Sequence, residues 1–348
     1  MRQKKVRLLY SIGRPFAPLY GAIMTLRAFL YRKGLFKKRH PGVPVISVGN
    51  LTMGGTGKTP MTVYLAELLR EKNPVIVSRG YRGGSSDKIN VVSDRDGLLM
   101  DAKEAGDESY LLADKLPGVP VVTGPNKRLA AEYAVIHFNP GLVIVDDGFQ
   151  HLALRRDLDM VLFKVDSFLG NNRVFPGGDM REPLKALNRA DCFVLNCVNE
   201  GNQARAKAIE KALEKRFPGI PVFTAAYRPT GIVDRNNGQL TVKEIRGKKY
   251  FGFCGLADPS YFQQIIENNG IELTGFQVYP DHHFYSEKDL QKITDAAEST
   301  GAEGLITTEK DMVKLRSGNL ALPVLNIPIE LVPFEGFNDF IRKRITVV

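Results

Sequence analysis

Residues 54–59, Gly54-Gly55-Thr56-Gly57-Lys58-Thr59, constrain this chain more than any other stretch. They follow the apolar run 43–49 and precede a helical pattern from Met61 to Leu69. Strand, glycine loop, lysine, hydroxyl and helix, in that order, let backbone N–H groups curl around the phosphates of a nucleoside triphosphate. Lys58 is expected to reach the terminal phosphates, Thr59 to ligate Mg²⁺, and the helix N-terminus to add partial positive charge. A ligand-free glycine turn has a similar local look, but a GK[ST] triplet at a strand-to-helix junction favours the phosphate loop. The expected binding segment is Thr52, Met53, Gly54, Gly55, Thr56, Gly57, Lys58 and Thr59. Thr52 stands where such loops usually begin with glycine. The spacing is nearer to GGxGK[ST] ATPases, which carry a lysine where this chain has Met53.

Length and charge narrow the class. A chain of 348 residues with 43% hydrophobic content suits two domains with buried cores. Cys192, Cys197 and Cys254 form no CxxC pair, which argues against a disulfide framework or thiolate zinc and suits the cytosol. Of the 48 Lys and Arg, eleven lie in residues 1–40, which hold no Asp or Glu. The remainder is close to neutral, so the net +10 is a positional signal.

Three readings compete for that basic start. Arg14, Pro15, Pro18 and Arg27 interrupt any signal-peptide core, and the longest charge-free run, Pro15 to Leu26, falls short of the ~20 residues of a membrane span. Phe16, Leu19, Tyr20, Ile23, Leu26 and Leu30 recur at helical spacing among Arg14, Arg27, Arg32, Lys33, Lys37, Lys38 and Arg39. That pattern favours an interfacial helix on an anionic membrane surface; a helix packed on the protein with a solvated basic rim is the plainer alternative. Nucleic acid is not expected as a partner, because no nucleic-acid motif accompanies the charge.

Beyond the loop, apolar strands alternate with helices: strands near 74–78, 119–123, 142–147, 160–165, 192–195 and 221–223, and helices over 127–137 and 203–216. This is the pattern of an α/β fold with a parallel sheet covered on both faces. A hairpin with an Asn236-Asn237-Gly238 turn follows, then a second α/β unit with strands near 250–254 and 304–307 and helices over 259–268 and 286–299. The expected division is a basic segment 1–40, a phosphate-loop domain 41–225, a β-hairpin linker 226–244 and a smaller α/β domain 245–348.

Several groups are candidates for chemistry. Asp146 and Asp147 end an apolar run, the position from which an acidic residue of a phosphate-loop enzyme holds Mg²⁺; a pair of acids opening a surface turn is the alternative. His151 either faces that site or caps its loop. Asp107 reads locally as an N-cap. Asp281-His282-His283 lacks metal-ligand spacing, but a histidine paired with an Asp would serve as a general base; spacing does not choose the pair. Arg181-Glu182 puts a guanidinium on a turn, suited to a transferring phosphoryl group or to a surface ion pair. Asn126-Lys127-Arg128 and Arg79-Gly80-Tyr81-Arg82-Gly83-Gly84 are further basic candidates for an anionic acceptor.

Together these segments resemble the tetraacyldisaccharide 4′-kinases of lipid A synthesis. The matching pieces are 48–60, Ser78-Arg79-Gly80-Tyr81, Gly106-Asp107-Glu108, Asp146-Asp147-Gly148-Phe149-Gln150-His151, Met180-Arg181-Glu182-Pro183, Asp281-His282-His283 and Thr307-Thr308-Glu309-Lys310-Asp311, in order over most of the chain. The family's loop shares the Thr52 form. Met180, where leucine is common, and Ser109, where proline often follows GDE, are small departures.

The resemblance implies a phosphate-loop NTPase-like domain and a smaller α/β domain with catalysis in the cleft between them. It implies ATP and Mg²⁺ as cofactors, and the 4′-hydroxyl of an acylated glucosamine disaccharide 1-phosphate as acceptor. In that picture Asp107 is the base, assisted by His282 in preference to His283. Lys58 and Arg181 act on the phosphoryl group, and Thr59, Asp146, Asp147 and Glu182 surround the metal. It further implies a monomer bound peripherally to the cytoplasmic face of the inner membrane through residues 1–40. The runner-up is a switch or partitioning ATPase on a membrane, supported by GGxGKT and opposed by Met53. A GTPase switch is weaker, because Asn126-Lys127 is followed by Arg128-Leu129 and not by the guanine-reading pattern.

Overall fold

The computed structural model describes residues 2–80, 88–235, 238–256, 258–315 and 320–346. Strands β1 (Val45–Asn50), β2 (Pro74–Ser78), β3 (Asn90–Ser93), β4 (Val121–Thr123), β5 (Leu142–Asp146), β6 (Leu158–Lys164), β7 (Cys192–Asn196) and β8 (Val222–Pro229) come first along the chain. They are followed by β9 (Ile232–Asp234), β10 (Gln239–Leu240), β11 (Lys249–Cys254), β12 (Glu272–Val278), β13 (Gly304–Thr307), β14 (Val324–Asn326) and β15 (Ile329–Pro333). Two sheets result, ordered β15-β8-β7-β6-β1-β5-β2-β4-β3 and β10-β9-β14-β13-β11-β12.

The first sheet is parallel apart from its edges, where β15 and β3 run antiparallel to their neighbours. Every residue of β1, β2, β5, β6 and β7 is buried, which explains why these strands read as unbroken apolar runs and not as alternation. Their side chains still alternate between faces: Ile46, Val48 and Ile144 join one core, and Val45, Val143 and Val145 the other. In chain order the helices of this half are α1 (Arg2–Gly13), α2 (Ala17–Arg32), α3 (Lys58–Leu68), α4 (Ala102–Ala105), α5 (Asp107–Lys115), α6 (Lys127–Phe138) and α7 (Gln203–Arg216). Met61 and Leu65 of α3 and Leu112 of α5 cover the first face; Ala130, Ala131 and Ala134 of α6 cover part of the other.

The second lobe adds α8 (Val242–Ile245), α9 (Ser260–Asn268), α10 (Glu287–Ser299) and α11 (Glu309–Met312). Phe262, Ile265 and Ile266 of α9 pack on one face of its sheet, and Leu290, Ile293 and Ala297 of α10 on the other.

Two expectations about the division of the chain are corrected. The hairpin expected as a linker is β9–β10, and β9 also pairs with β14, Leu325 opposite Asp234, so it is an edge of the second sheet. Its Asn236-Asn237 turn lies outside the described residues. The lobes are instead joined by β8 and β15, which pair antiparallel from Pro229↔Ile329 to Ala225↔Pro333. Nor does everything after residue 245 belong to the second lobe. After β15, helix α12 (Phe337–Thr346) returns Phe337, Ile341 and Ile345 to the core of the first sheet, where they are almost fully buried. Burial of that apolar face outweighs its position in the sequence.

The basic start forms α1 and α2, joined by a turn at Arg14–Phe16. One side packs on the loop 175–183: Gly13 approaches Pro176, Gly21 approaches Pro183, and Tyr20 meets Phe175 edge-on. A side chain at Gly13 would overlap the Pro176 backbone. On the other side Leu8, Leu9, Ile12, Phe16, Leu19, Ile23 and Leu26 are each at least half exposed. Tyr20 and Leu30, read from spacing as part of the stripe, are half-buried. Among the described residues no helix is long and apolar enough to cross a membrane.

Candidate active site

The phosphate loop occupies the step from β1 to α3. Thr52 pairs in an isolated antiparallel bridge with Met180, and Met53 N–H donates to the Asp179 carbonyl at 2.8 Å. An extended bridge accepts any residue, which is why threonine stands where similar loops place glycine. Gly57 needs to be glycine twice over. Its φ is +85°, and a Cβ would fall 1.7 Å from the hydroxyl of Tyr227 in β8. It caps α3 without a side-chain partner, so the first-turn amides of α3 are left for a ligand. Asn196 Nδ2 donates to the Thr56 carbonyl at 2.8 Å and ties β7 to the loop. Around it the buried Asn50 Oδ1 and Thr56 Oγ1 have no hydrogen-bond partner among the described residues.

Asp146 is the last residue of β5, and Asp147 turns the chain at φ +53°. Asp146 is buried, touched by the hydroxyls of Ser78 at 3.3 Å and Thr62 of α3 at 3.5 Å. Burial pushes its pKa up to about 6. Asp147 accepts two bonds from Arg181, at 2.8 and 2.9 Å, and lies 3.6 Å from Lys58. Burial works against its charge, but Lys58, Arg181 and Lys127 outweigh it and hold the carboxyl well below the usual range. Lys58 and Arg181, expected at the phosphoryl group, thus share one carboxylate.

Lys127 does not serve as an exposed anion site. It is fully buried, and its ammonium donates to the backbone carbonyls of Asp146 and Asp147. Burial lowers its pKa to about 8. Asn126 caps α6 and Arg128 pairs with Glu132, so that tripeptide holds the Asp146-Asp147 turn in place. Of the Arg79–Gly84 candidates, Arg79 is exposed at the end of β2 and Tyr81 to Gly84 lie outside the described residues. His151 is held neutral by burial and the nearby Lys127 charge, with its pKa down to about 3.

Glu182, expected at the metal, is 2% exposed and paired with Arg189 at 2.9 and 3.1 Å, under a guanidinium that stacks on Phe149. A carboxylate so engaged braces the loop after Arg181. The other oxygen donors expected at the metal are Thr59, Asp146 and Asp147, of which Asp147 is likewise paired with an arginine, Arg181. Among the described residues no three His, Cys, Asp or Glu side chains form a ready-made metal cluster.

The second half of the site joins the two lobes. Asp107 is the first residue of α5 and 1% exposed; Gly106, not Asp107, holds the capping position. Its carboxylate oxygens stand 2.9 and 3.0 Å from His282 Nδ1. An ionised carboxylate only accepts, so Nδ1–H is the donor. Burial raises the Asp107 pKa, but the His282 hydrogen bond and the charges of Lys310 and Lys314 lower it further, leaving it below the ordinary value. His283 pairs with Asp289 at 3.1 Å and stacks on Tyr279, which leaves His282 as the partner of Asp107. Lys310 carried no role in the sequence reading and Lys314 was not singled out; neither has a local signal.

The family model for tetraacyldisaccharide-1-P 4′-kinase (LpxK) matches residues 9–346. The chain belongs to this family. It is therefore a kinase with a phosphate-loop fold, as the resemblance implied. The tetraacyldisaccharide 4′-kinase of Desulfotalea psychrophila is 44% identical over 342 residues, 98% of each chain. That of Syntrophotalea carbinolica is 38% identical over 330 residues, covering 94% of this chain and 89% of its own. Among solved structures, LpxK from Aquifex aeolicus, crystallised in complex with ATP, superposes with a TM-score of 0.77 at 32% identity and covers 97% of this chain and 99% of its own.

Proposed function

We propose that this kinase transfers the γ-phosphoryl group of ATP to the 4′-hydroxyl of a tetraacyldisaccharide 1-phosphate at a membrane surface. The observation that carries the reading is the Asp107–His282 pair, a buried carboxylate and an imidazole contributed by different lobes. Phosphoryl transfer asks a protein for positioning, charge neutralisation and a base for the attacking hydroxyl. Asp107 accepts the hydroxyl proton, and His282 holds the carboxylate in place. Because Asp107 is almost inaccessible, the acceptor enters when the lobes part.

Lys58, Arg181 and the first-turn amides of α3 bind the phosphate oxygens. Mg²⁺ fits the oxygen donors Thr59, Asp146 and Asp147, since among the described residues the buried Asp146 carboxylate is hydrogen-bonded only by two hydroxyls, at 3.3 and 3.5 Å. Few protein ligands suit an ion that keeps waters and nucleotide oxygens, and when bound it would neutralise charge on the β- and γ-phosphates. The half-exposed stripe from Leu8 to Leu26, with the basic residues around it, lies on the interface of the cytoplasmic leaflet of the inner membrane.

The test is to incubate the protein with labelled ATP and a glycolipid acceptor and ask whether label enters the organic phase. ATP hydrolysis without labelled lipid would replace this reading with that of a membrane-bound ATPase that has no lipid acceptor.

A further inference from the structure

The motif Thr307 to Asp311 has no place in the chemistry above, yet it sits directly opposite the base. Thr308 caps α11 and, with the Gly255 N–H at 2.9 Å, grips the Asp311 carboxylate. That fixes the turn which presents Lys310 and Lys314, four residues apart and hence on one side of the turn, toward the first lobe. Lys314 Nζ lies 3.7 Å from Asp107 Oδ2 and 2.7 Å from Asp311 Oδ1, and its side chain is fully buried against the ring of Tyr285. Lys310 Nζ lies 3.9 Å from the same Asp107 oxygen and 3.3 Å from His282 Nε2. Glu108 and Asp281 flank it at 3.5 and 3.3 Å.

A fully buried ammonium is expensive unless an anion faces it. Asp311 faces Lys314 and Asp281 and Glu108 face Lys310, while Asp107, on the other lobe, stands 3.7 and 3.9 Å from the two ammonium groups. Asp281 and Glu108 also face His282 Nε2, at 3.8 and 3.9 Å, but Lys310 is nearer at 3.3 Å and has only hydrogens to offer, so its contact makes Nε2 the acceptor and Nδ1 the donor to Asp107. Lys314 has no exposed surface with which to touch a substrate.

We infer that Lys310 and Lys314 are positioning residues for phosphoryl transfer: the second lobe presents them across the interface to hold the Asp107 carboxylate ionised and to set the His282 tautomer that orients it. The inference rests on reading Asp107 as the base. It makes lobe contact the event that assembles the base, since His282, Lys310 and Lys314 all arrive on the second lobe.

The experiment measures kcat and KM for ATP and glycolipid across pH for Lys314→Met, Lys314→Arg and Lys310→Met, each alone and combined with Asp107→Asn. The Met variants should lower kcat about tenfold or more, with both KM values little changed. The acid limb of kcat should move up by about one pH unit, because losing a cation makes Asp107 easier to protonate. Lys314→Arg should restore part of the loss, and neither Met variant should lower activity further once Asp107 is Asn. Parallel pH profiles, or losses that add to that of Asp107→Asn, would overturn the inference while leaving the base intact. Full transfer by Asp107→Asn would instead overturn the base. Should Lys314→Met fail to fold, Lys310→Met, with its partly exposed side chain, carries the same expectations.

Discussion

Asp107 and His282 lie 175 positions apart in the chain and 2.9 Å apart in the fold. Asp107 belongs to the nucleotide lobe and His282 to the second lobe, so the pair bridges the two. Asp107→Asn keeps the shape and removes the base, so kcat should fall roughly 10²–10⁴-fold. ATP affinity, followed by calorimetry, should hold, because Asp107 touches none of the loop residues. His282→Ala should cost less than Asp107→Asn, since it removes orientation and leaves the carboxylate. Equal kcat for Asp107→Asn and the parent would remove this pair from the mechanism.

The exposed stripe predicts membrane attachment that can be separated from catalysis. Deleting residues 1–40 would also remove Tyr20, which donates to the Arg181 carbonyl, and Arg27, which donates to that of Gln150. Leu19→Asp with Ile23→Asp leaves those contacts alone. Flotation with anionic vesicles should drop sharply, while turnover of detergent-dispersed acceptor should change little. Flotation equal to the parent's would favour a helix that serves only to brace the loop 175–183.

His151 sets a pH dependence whose sign is fixed by its environment. Unfolded, it takes up a proton near its ordinary value of 6.5; folded, burial delays this to about 3. The folded state therefore binds fewer protons in that window. Its contribution is fully present above 6.5 and is lost as pH falls toward 3, by up to about 1.4 kcal/mol per pH unit. Asp146 acts oppositely: raised to about 6 by burial, it stabilises below its ordinary value and loses that contribution as pH rises through 6. Comparing urea midpoints of the parent and His151→Asn between pH 7 and 4 isolates the histidine. Parallel curves would place His151 in a wetter setting than the fold indicates.

Glu182 separates bracing from metal binding. Glu182→Gln breaks the pair with Arg189, and the unfolding free energy should fall by about 2 kcal/mol or more. That is less than the ~3–5 kcal/mol of a fully buried pair, because Arg189 is partly exposed. Mg²⁺ affinity of the nucleotide complex should be little altered. A large loss of Mg²⁺ affinity without loss of stability would return Glu182 to the metal.

Much of the first lobe was legible because its signals are local. The run from Val45 to Asn50, the glycines 54–57 and the apolar end at Asp146 each declare themselves within about ten residues. Strands β12, β14 and β15 were missed: β14 is only three residues long, β12 and β15 are half-exposed, and β15 pairs with β8, about a hundred residues earlier. Lys127 was misread because a lysine beside a cap looks solvated in sequence. Only the packed turn after β5 shows two carbonyls waiting for an ammonium. The motif places Glu182 beside Arg181, while in the fold its side chain answers to Arg189, seven residues on, a partner no local pattern announces.

By itself the sequence determined that a phosphate loop would sit between a buried strand and a helix, and that alternating strands and helices would build a covered parallel sheet. Those outcomes follow from backbone hydrogen bonding and side-chain period, which act over a turn or a strand. Tertiary structure alone decided that β15 and α12 return to the first lobe, that His282 and not His283 meets Asp107, and that Lys310 and Lys314 close around the same carboxylate. Such partners are chosen by burial and charge balance across the whole molecule, and no local pattern encodes them.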